Sequence, residues 1–139
     1  MEMNDKDLNI GVCSNPFKYS QSSFYPYADK LIKKIEIGAE FVVSQAGWDI
    51  LKNQEIRWYL ESRGHFEQCL ARIILLKPEV IEHIITGTEQ GVFFSPDFLG
   101  ILKKESKFGF GQFWASQWRR FELLISGLRL MGYSGILIS

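Results

Sequence analysis

AEFVVSQAGWD, residues 39–49, is the stretch whose reading decides the fold. Ala39–Val43 is an apolar run of buried-strand type. The polar pair Ser44-Gln45 interrupts it, Gly47 and Trp48 follow, and Asp49 stands where an N-cap belongs. Upstream, Ala28, Leu31, Ile32 and Ile35 recur at helical spacing, and Gly38 is a natural C-terminal stop. A helix, a strand and a second helix in direct succession form the unit of a parallel sheet. The glutamine is the anomaly. A buried amide left unpaired costs about 1–3 kcal/mol. In open α/β sheets and βα barrels, ligands sit at the carboxyl ends of the strands, which is where Gln45 falls. It is satisfied either by backbone or by a ligand, and its adjacent donor and acceptor suit the edge of a heterocycle.

The same alternation extends in both directions. Leu8–Ser14 reads as strand one, after a polar tail over residues 1–7. A Ser- and aromatic-rich loop precedes a helix from about Pro26 to Ile37, with Pro26 in its first turn. Strand two is Glu40–Gln45. The next helix runs from Ile50 to Arg63, with Ile56, Tyr59 and Leu60 inward. Strand three is Ala71–Leu76. Pro78 opens a further helix with Val80, Ile81, Ile84 and Ile85 as its stripe and Gly87 beyond its end. Ser95 caps another, with Pro96 at its first position and Phe98, Leu99 and Leu102 inward. Residues 105–112 read as a loop. A long helix covers Phe113–Met131, with Trp114, Trp118, Phe121, Ile125 and Leu128 as its apolar stripe. The last strand is Gly135–Ile138. The order β-α-β-α-β-α-α-α-β, with continuously apolar strands, predicts parallel βα units in one domain and a sheet buried on both faces.

Composition narrows the function classes. The chain has 139 residues, with Lys+Arg and Asp+Glu both at 16. A balanced charge removes the basic-patch argument for nucleic acid. No apolar run reaches the roughly 18 residues of a membrane span, and the acidic start MEMNDKDLNIG has no apolar h-region. Cys13 and Cys69 stand in no metal-binding spacing, so no metal is expected, and two isolated cysteines suit a reducing compartment. A soluble cytoplasmic protein is the expectation.

Other chemical signals are weak. Gly109-Phe110-Gly111 begins like a dinucleotide fingerprint, but Trp114 takes the third glycine's place and no strand precedes it. His65 and His83 are isolated, and no Ser or Cys nucleophile sits in a recognisable elbow, so no catalytic residue is assigned. Lys30, Lys33 and Lys34 read either as a solvated face near a helix C-terminus or as a phosphate contact.

Asn15-Pro16-Phe17-Lys18-Tyr19, ADKLIKKIEIGAEFVVSQAGWD (28–49), SPDFL (95–99) and LRLMGYSGILI (128–138) together resemble the methylenetetrahydrofolate reductase family, most of all its bacterial branch. The resemblance implies an α/β fold of parallel βα units, here four strands forming the C-terminal half of a TIM (β/α)8 barrel. It also implies a noncovalent flavin and reduction of 5,10-methylenetetrahydrofolate to 5-methyltetrahydrofolate. Gln45 matches the glutamine that binds the pterin of the folate, with Ser44 replacing the usual Thr. Lys34 and Asn15 match flavin-bordering positions. Tyr27 and Lys30 replace acidic and amide positions of the family, which leaves FAD or FMN open. The family's general-acid Glu and the Asp near its flavin belong to first-half strands that have no counterpart here. The resemblance therefore implies a folate- and flavin-binding half. Its partner is either a chain supplying the other half or a second copy in a homodimer. The alternative is a non-catalytic half-barrel that self-associates or serves as an interaction subunit of a redox complex.

Overall fold

In the computed structural model, which describes residues 8–87 and 92–139, the elements run as follows. They are β1 (Gly11–Ser14), α1 (Gln21–Ile37), β2 (Phe41–Ser44), β3 (Ala46–Gly47), α2 (Ile50–Ser62), β4 (Gln68–Ile73), α3 (Pro78–Ile85), β5 (Val92–Phe93), α4 (Pro96–Glu105), α5 (Phe110–Leu130) and β6 (Gly135–Ile138). The expected alternation is present, with two short strands added. The polar tail 1–7 lies outside the described residues.

Four strands pair in the order β1-β2-β4-β6, all parallel, so each strand lies beside the one before it in the chain. Right-handed crossovers that always step the same way carry every connecting helix to one side. The register agrees. Val12, Val42 and Cys69 lie in one row, and Ser14, Ser44, Ala71 and Ile136 in another. The apolar members of these rows, with Ile73, pack in one core with Ala28 and Leu31 of α1, Ile56 and Leu60 of α2, and Phe121 and Leu128 of α5.

The alternate residues point the other way. Cys13, Arg72 and Leu137 are exposed, Phe41, Val43 and Leu70 are half-buried, and none of this set is buried. Among the described residues the sheet is therefore covered on one face only, against the expectation of two buried faces. Strand-three residues expected at Ala71–Leu76 shift accordingly. Gln68 and Arg72 sit on the bare face of β4, where polar residues cost little, and Ile74 and Leu76 leave the sheet for a second core. That core joins them to Ile81, Phe94, Leu102 and Phe113. Over it, β3 and β5 pair in parallel, Ala46 with Val92 and Gly47 with Phe93. Trp48 touches both cores.

Helix limits depart from expectation for local reasons. α1 starts five residues before Pro26, because the Ser20 hydroxyl accepts from Ser23 N–H (3.3 Å) and opens the helix there. Pro26 is thus interior, and the carbonyl it leaves without a donor belongs to exposed Ser22. Strand one is shorter than expected, since Leu8–Ile10 lie outside the ladder. α5 begins at Phe110, inside the expected loop. Its inward face is Phe113, Gln117, Phe121, Leu124 and Leu128, so the expected tryptophan stripe is rotated outward and Trp118 is 53% exposed. Gln117 is tolerated inside because its amide donates to Glu105 Oε2 (3.0 Å) and accepts from Arg120 (3.2 Å). In α2, buried Asn53 and Arg57 join Ile56 and Leu60, while Tyr59 is half-exposed. Tyr133 Oη donates to Asn53 O (2.9 Å) and Arg57 donates to Glu67 O (2.9 Å), tying α2 to the amino-terminal ends of β4 and β6.

Gly47 has a steric reason. A Cβ there would lie 2.2 Å from the buried Phe17 ring. Gly47→Ala must displace that ring, so it should lower stability by about 1–3 kcal/mol, read from the midpoint of urea unfolding.

Candidate ligand site at the carboxyl ends of the strands

Asn15 and Gln45 follow the paired residues Ser14 and Ser44, so adjacent parallel strands deliver both amides to the carboxyl edge of the sheet side by side. The Gln45 main-chain N–H continues the ladder by donating to Ser14 O (2.7 Å). Strand alternation turns its side chain to the bare face, with Val43. Gln45 is half-buried, and its carboxamide makes no hydrogen bond among the described residues. The Asn15 carboxamide is partly used. Its Oδ1 accepts from Phe17 N–H (3.1 Å), closing an Asx turn, while the Asn15 main-chain N–H donates to Tyr27 Oη (2.5 Å). The Asn15 side-chain NH2 makes no hydrogen bond among the described residues. Burial pushes the Tyr27 hydroxyl above its ordinary range, so it stays protonated.

Lys34 goes elsewhere. It lies in the exposed last turn of α1, where its carbonyl accepts from Ala39 N–H just before β2. Since α1 starts beside the carboxyl end of β1, the structure carries Lys34 about 20 Å along the helix axis to the opposite end of the sheet. Asn15 and Gln45 are brought together; Lys34 is not joined to them.

Asp49 and Trp48 fix the segment that follows Gln45. Asp49 Oδ1 caps α2 by accepting from Leu51 N–H (3.1 Å) and Lys52 N–H (3.3 Å), while Oδ2 accepts from Tyr19 Oη (2.7 Å). Partial burial and this bond raise the Tyr19 pKa. One carboxylate therefore fixes both α2 and the loop that follows β1. Trp48 Nε1 donates to Ile74 O (3.2 Å), and its ring stacks on Phe98 at 6.0 Å. On the helix-facing side of the same edge, the fully buried Ser14 hydroxyl has no partner among the described residues, whereas Ser44 Oγ accepts from Arg72 N–H (3.3 Å).

Sequence reading did not find the cluster behind Trp48. Glu105 is paired with Arg120, and the Arg120 guanidinium lies 5.6 Å from the Phe98 ring centroid. The Arg120 hydrogen bond holds the Glu105 carboxyl below its ordinary 4.5. Glu105 is thus ionised and cannot act as a proton donor. Phe98 and Glu105 lie on α4 and Arg120 lies on α5 beyond the turn, so only the fold reveals them as a group. Among the described residues no cluster of His, Cys, Asp and Glu could hold a metal, and no helix is long and apolar enough to cross a membrane. The chain matches no family model, and no curated protein matches it in sequence.

Asp49→Ala removes the cap and the Tyr19 acceptor together. It should cost about 1–2 kcal/mol by urea unfolding, and Tyr19→Phe less. For Glu105, a depressed folded pKa means that its stabilising contribution is complete above the ordinary 4.5 and fades as pH falls through the folded value. Glu105→Gln should therefore show a smaller drop in urea midpoint than the wild type across that acidic window.

Proposed function

We propose that this chain is the folate- and flavin-binding half of a reductase of the methylenetetrahydrofolate type, a C-terminal half of a TIM (β/α)8 barrel. The observation that carries the reading is the Gln45 carboxamide, half-buried and without a hydrogen-bond partner among the described residues, at the carboxyl end of a parallel strand. An amide so placed is open to an acceptor and a donor from outside, and the edge of a pterin offers both. The consecutive strand order supports the barrel half, because barrels add each strand beside the last, whereas doubly wound sheets reverse direction.

In this reading Gln45 orients the pterin over the bare face, and the Asn15 amide NH2 donates to a neighbouring ring. A flavin bound there would supply hydride-transfer chemistry. The residues of this chain bind and orient; none of the groups at the edge is a proton donor suited to the reduction. Tyr19 and Tyr27 are held protonated well above neutral pH, and Glu105 is an ion-paired carboxylate. The acid is therefore assigned to the strands that would complete the barrel. Lys34 stands outside this site.

The test is titration of the chain with FMN, FAD and a tetrahydrofolate, alone and with a chain supplying the four missing strands. Gln45→Ala should weaken folate binding by about 1–3 kcal/mol, the scale of a lost buried hydrogen bond, and leave flavin affinity unchanged. Equal losses of both ligands, or no binding of either by the wild type in both settings, would overturn the reading.

A further inference from the structure

We propose that Arg72 is the anion-holding residue of the carboxyl edge, pairing its guanidinium with a carboxylate or phosphate of the ligand whose ring edge meets Gln45. The inference rests on the reading that this edge holds a ligand. It adds the ligand's charge and the residue that reads it.

The ladder places Arg72. Ser44 pairs with Ala71, so the residues that follow them, Gln45 and Arg72, stand side by side on adjacent parallel strands, about 4.8 Å apart along the sheet. Arg72 N–H donates to Ser44 Oγ (3.3 Å), which holds the two strand ends in that register. Strand alternation turns both side chains to the bare face, Gln45 with Val43 and Arg72 with Leu70. Ser14 pairs with Ser44 in turn, so Asn15 stands on the other side of Gln45. Asn15, Gln45 and Arg72 therefore form one row across three strands, and Leu137, paired with Arg72, ends it on β6.

The fold makes no use of the Arg72 charge. The side chain is exposed on a face where Val43, Leu70 and Leu137 around it are apolar. Its Nε donates to Ser139 Oγ (2.9 Å), while Nη1 and Nη2 have no partner among the described residues. The bond at Nε anchors the guanidinium and leaves the two terminal nitrogens as a fork. Such a fork matches the paired oxygens of a carboxylate or phosphate. The other charges near this edge also favour an anion. Lys18 lies over the Tyr27 ring, 5.5 Å from its centroid, and the Tyr27 hydroxyl accepts from Asn15 N–H. The Asp49 carboxylate is already engaged by Leu51 N–H, Lys52 N–H and Tyr19 Oη. The row thus offers amides to a ring and a cation to an acidic group on the same ligand.

Titration calorimetry of the full 139-residue chain with two matched pairs separates charge from ring. FMN and riboflavin share a ring and differ by a phosphate. A tetrahydrofolate and tetrahydropterin share a ring and differ by a tail that carries carboxylates. The wild type should bind the charged member of one pair about tenfold more tightly, the scale of a charge-assisted hydrogen bond, and the advantage should shrink as salt rises. The pair that shows it tells phosphate from carboxylate. Arg72→Gln should remove the advantage and leave affinity for the uncharged member unchanged. Arg72→Lys, which keeps the charge without the fork, should retain part of it. Gln68 already occupies this face of β4, so the urea midpoint of Arg72→Gln should match the wild type. Where that variant fails to fold, the wild type carries the test, and an advantage indifferent to salt overturns the proposal. Equal losses for both members of a pair, or an advantage that survives in Arg72→Gln, overturn the Arg72 assignment and leave the Gln45 reading to its own variant. No binding of any of the four compounds, by the chain alone or with the complementary strands, overturns both.

Discussion

Val42, Cys69, Ala71 and Ile73 of the sheet meet Leu31, Leu60 and Leu128 of the helices in one apolar layer, and every other feature of the molecule is placed by that contact. Its direction matters as much as its size. Because the strands are added in chain order, all three large helices press on the same side, and the layer forms once rather than twice. A doubly wound sheet of similar composition would bury both faces and place its ligand where the strand order reverses. This sheet has no reversal, so its carboxyl edge and its bare face are continuous.

The carboxyl edge inherits its order from that layer. Ser14 and Ser44 are held in register by the ladder, and the residues after them, Asn15 and Gln45, have no freedom to separate. The loop after β1 is then fastened twice. The Phe17 ring lies against the Gly47 backbone, and Tyr19 donates to the carboxylate that caps α2. Asp49 thus does in one side chain what most βα junctions divide between a cap and a loop anchor. The fastening uses the Asn15 acceptor and the Tyr27 hydroxyl internally and leaves the half-buried Gln45 carboxamide on the bare side without a hydrogen-bond partner among the described residues.

Much of this was legible in the sequence. Gly38, Asp49, Ser95 and Pro96 mark helix limits because capping is a local interaction between near neighbours. Gln45 stood out because a polar residue closing an apolar run has few structural excuses. What could not be read depends on contacts between distant segments. The start of β4 is fixed by its pairing with Phe41 rather than by its own hydrophobicity, so the polar Gln68 belongs to it and the apolar Leu76 does not. The inward face of α5 includes Gln117 because Glu105 and Arg120 satisfy it, and no helical periodicity could choose a glutamine over Trp118. The bare face was hidden for a similar reason. Continuous apolar strands suggest two covered faces, and only the strand order shows that one chain covers just one.

The chemistry open to the carboxyl edge follows from these placements. The edge carries amides and hydroxyls, groups that read shape and hydrogen-bonding pattern, and burial raises the pKa of its Tyr19 and Tyr27 hydroxyls. A tyrosine whose pKa is raised and a carboxylate whose pKa is lowered are both poor at exchanging protons near neutrality, since each is far from the point where it gives or takes one readily. Such a surface suits the reading of a ligand's hydrogen-bonding pattern better than proton transfer through those two side chains. The half-buried Val43 and Leu70 border the Gln45 amide on the bare face, so any layer laid over them would also close over the amide.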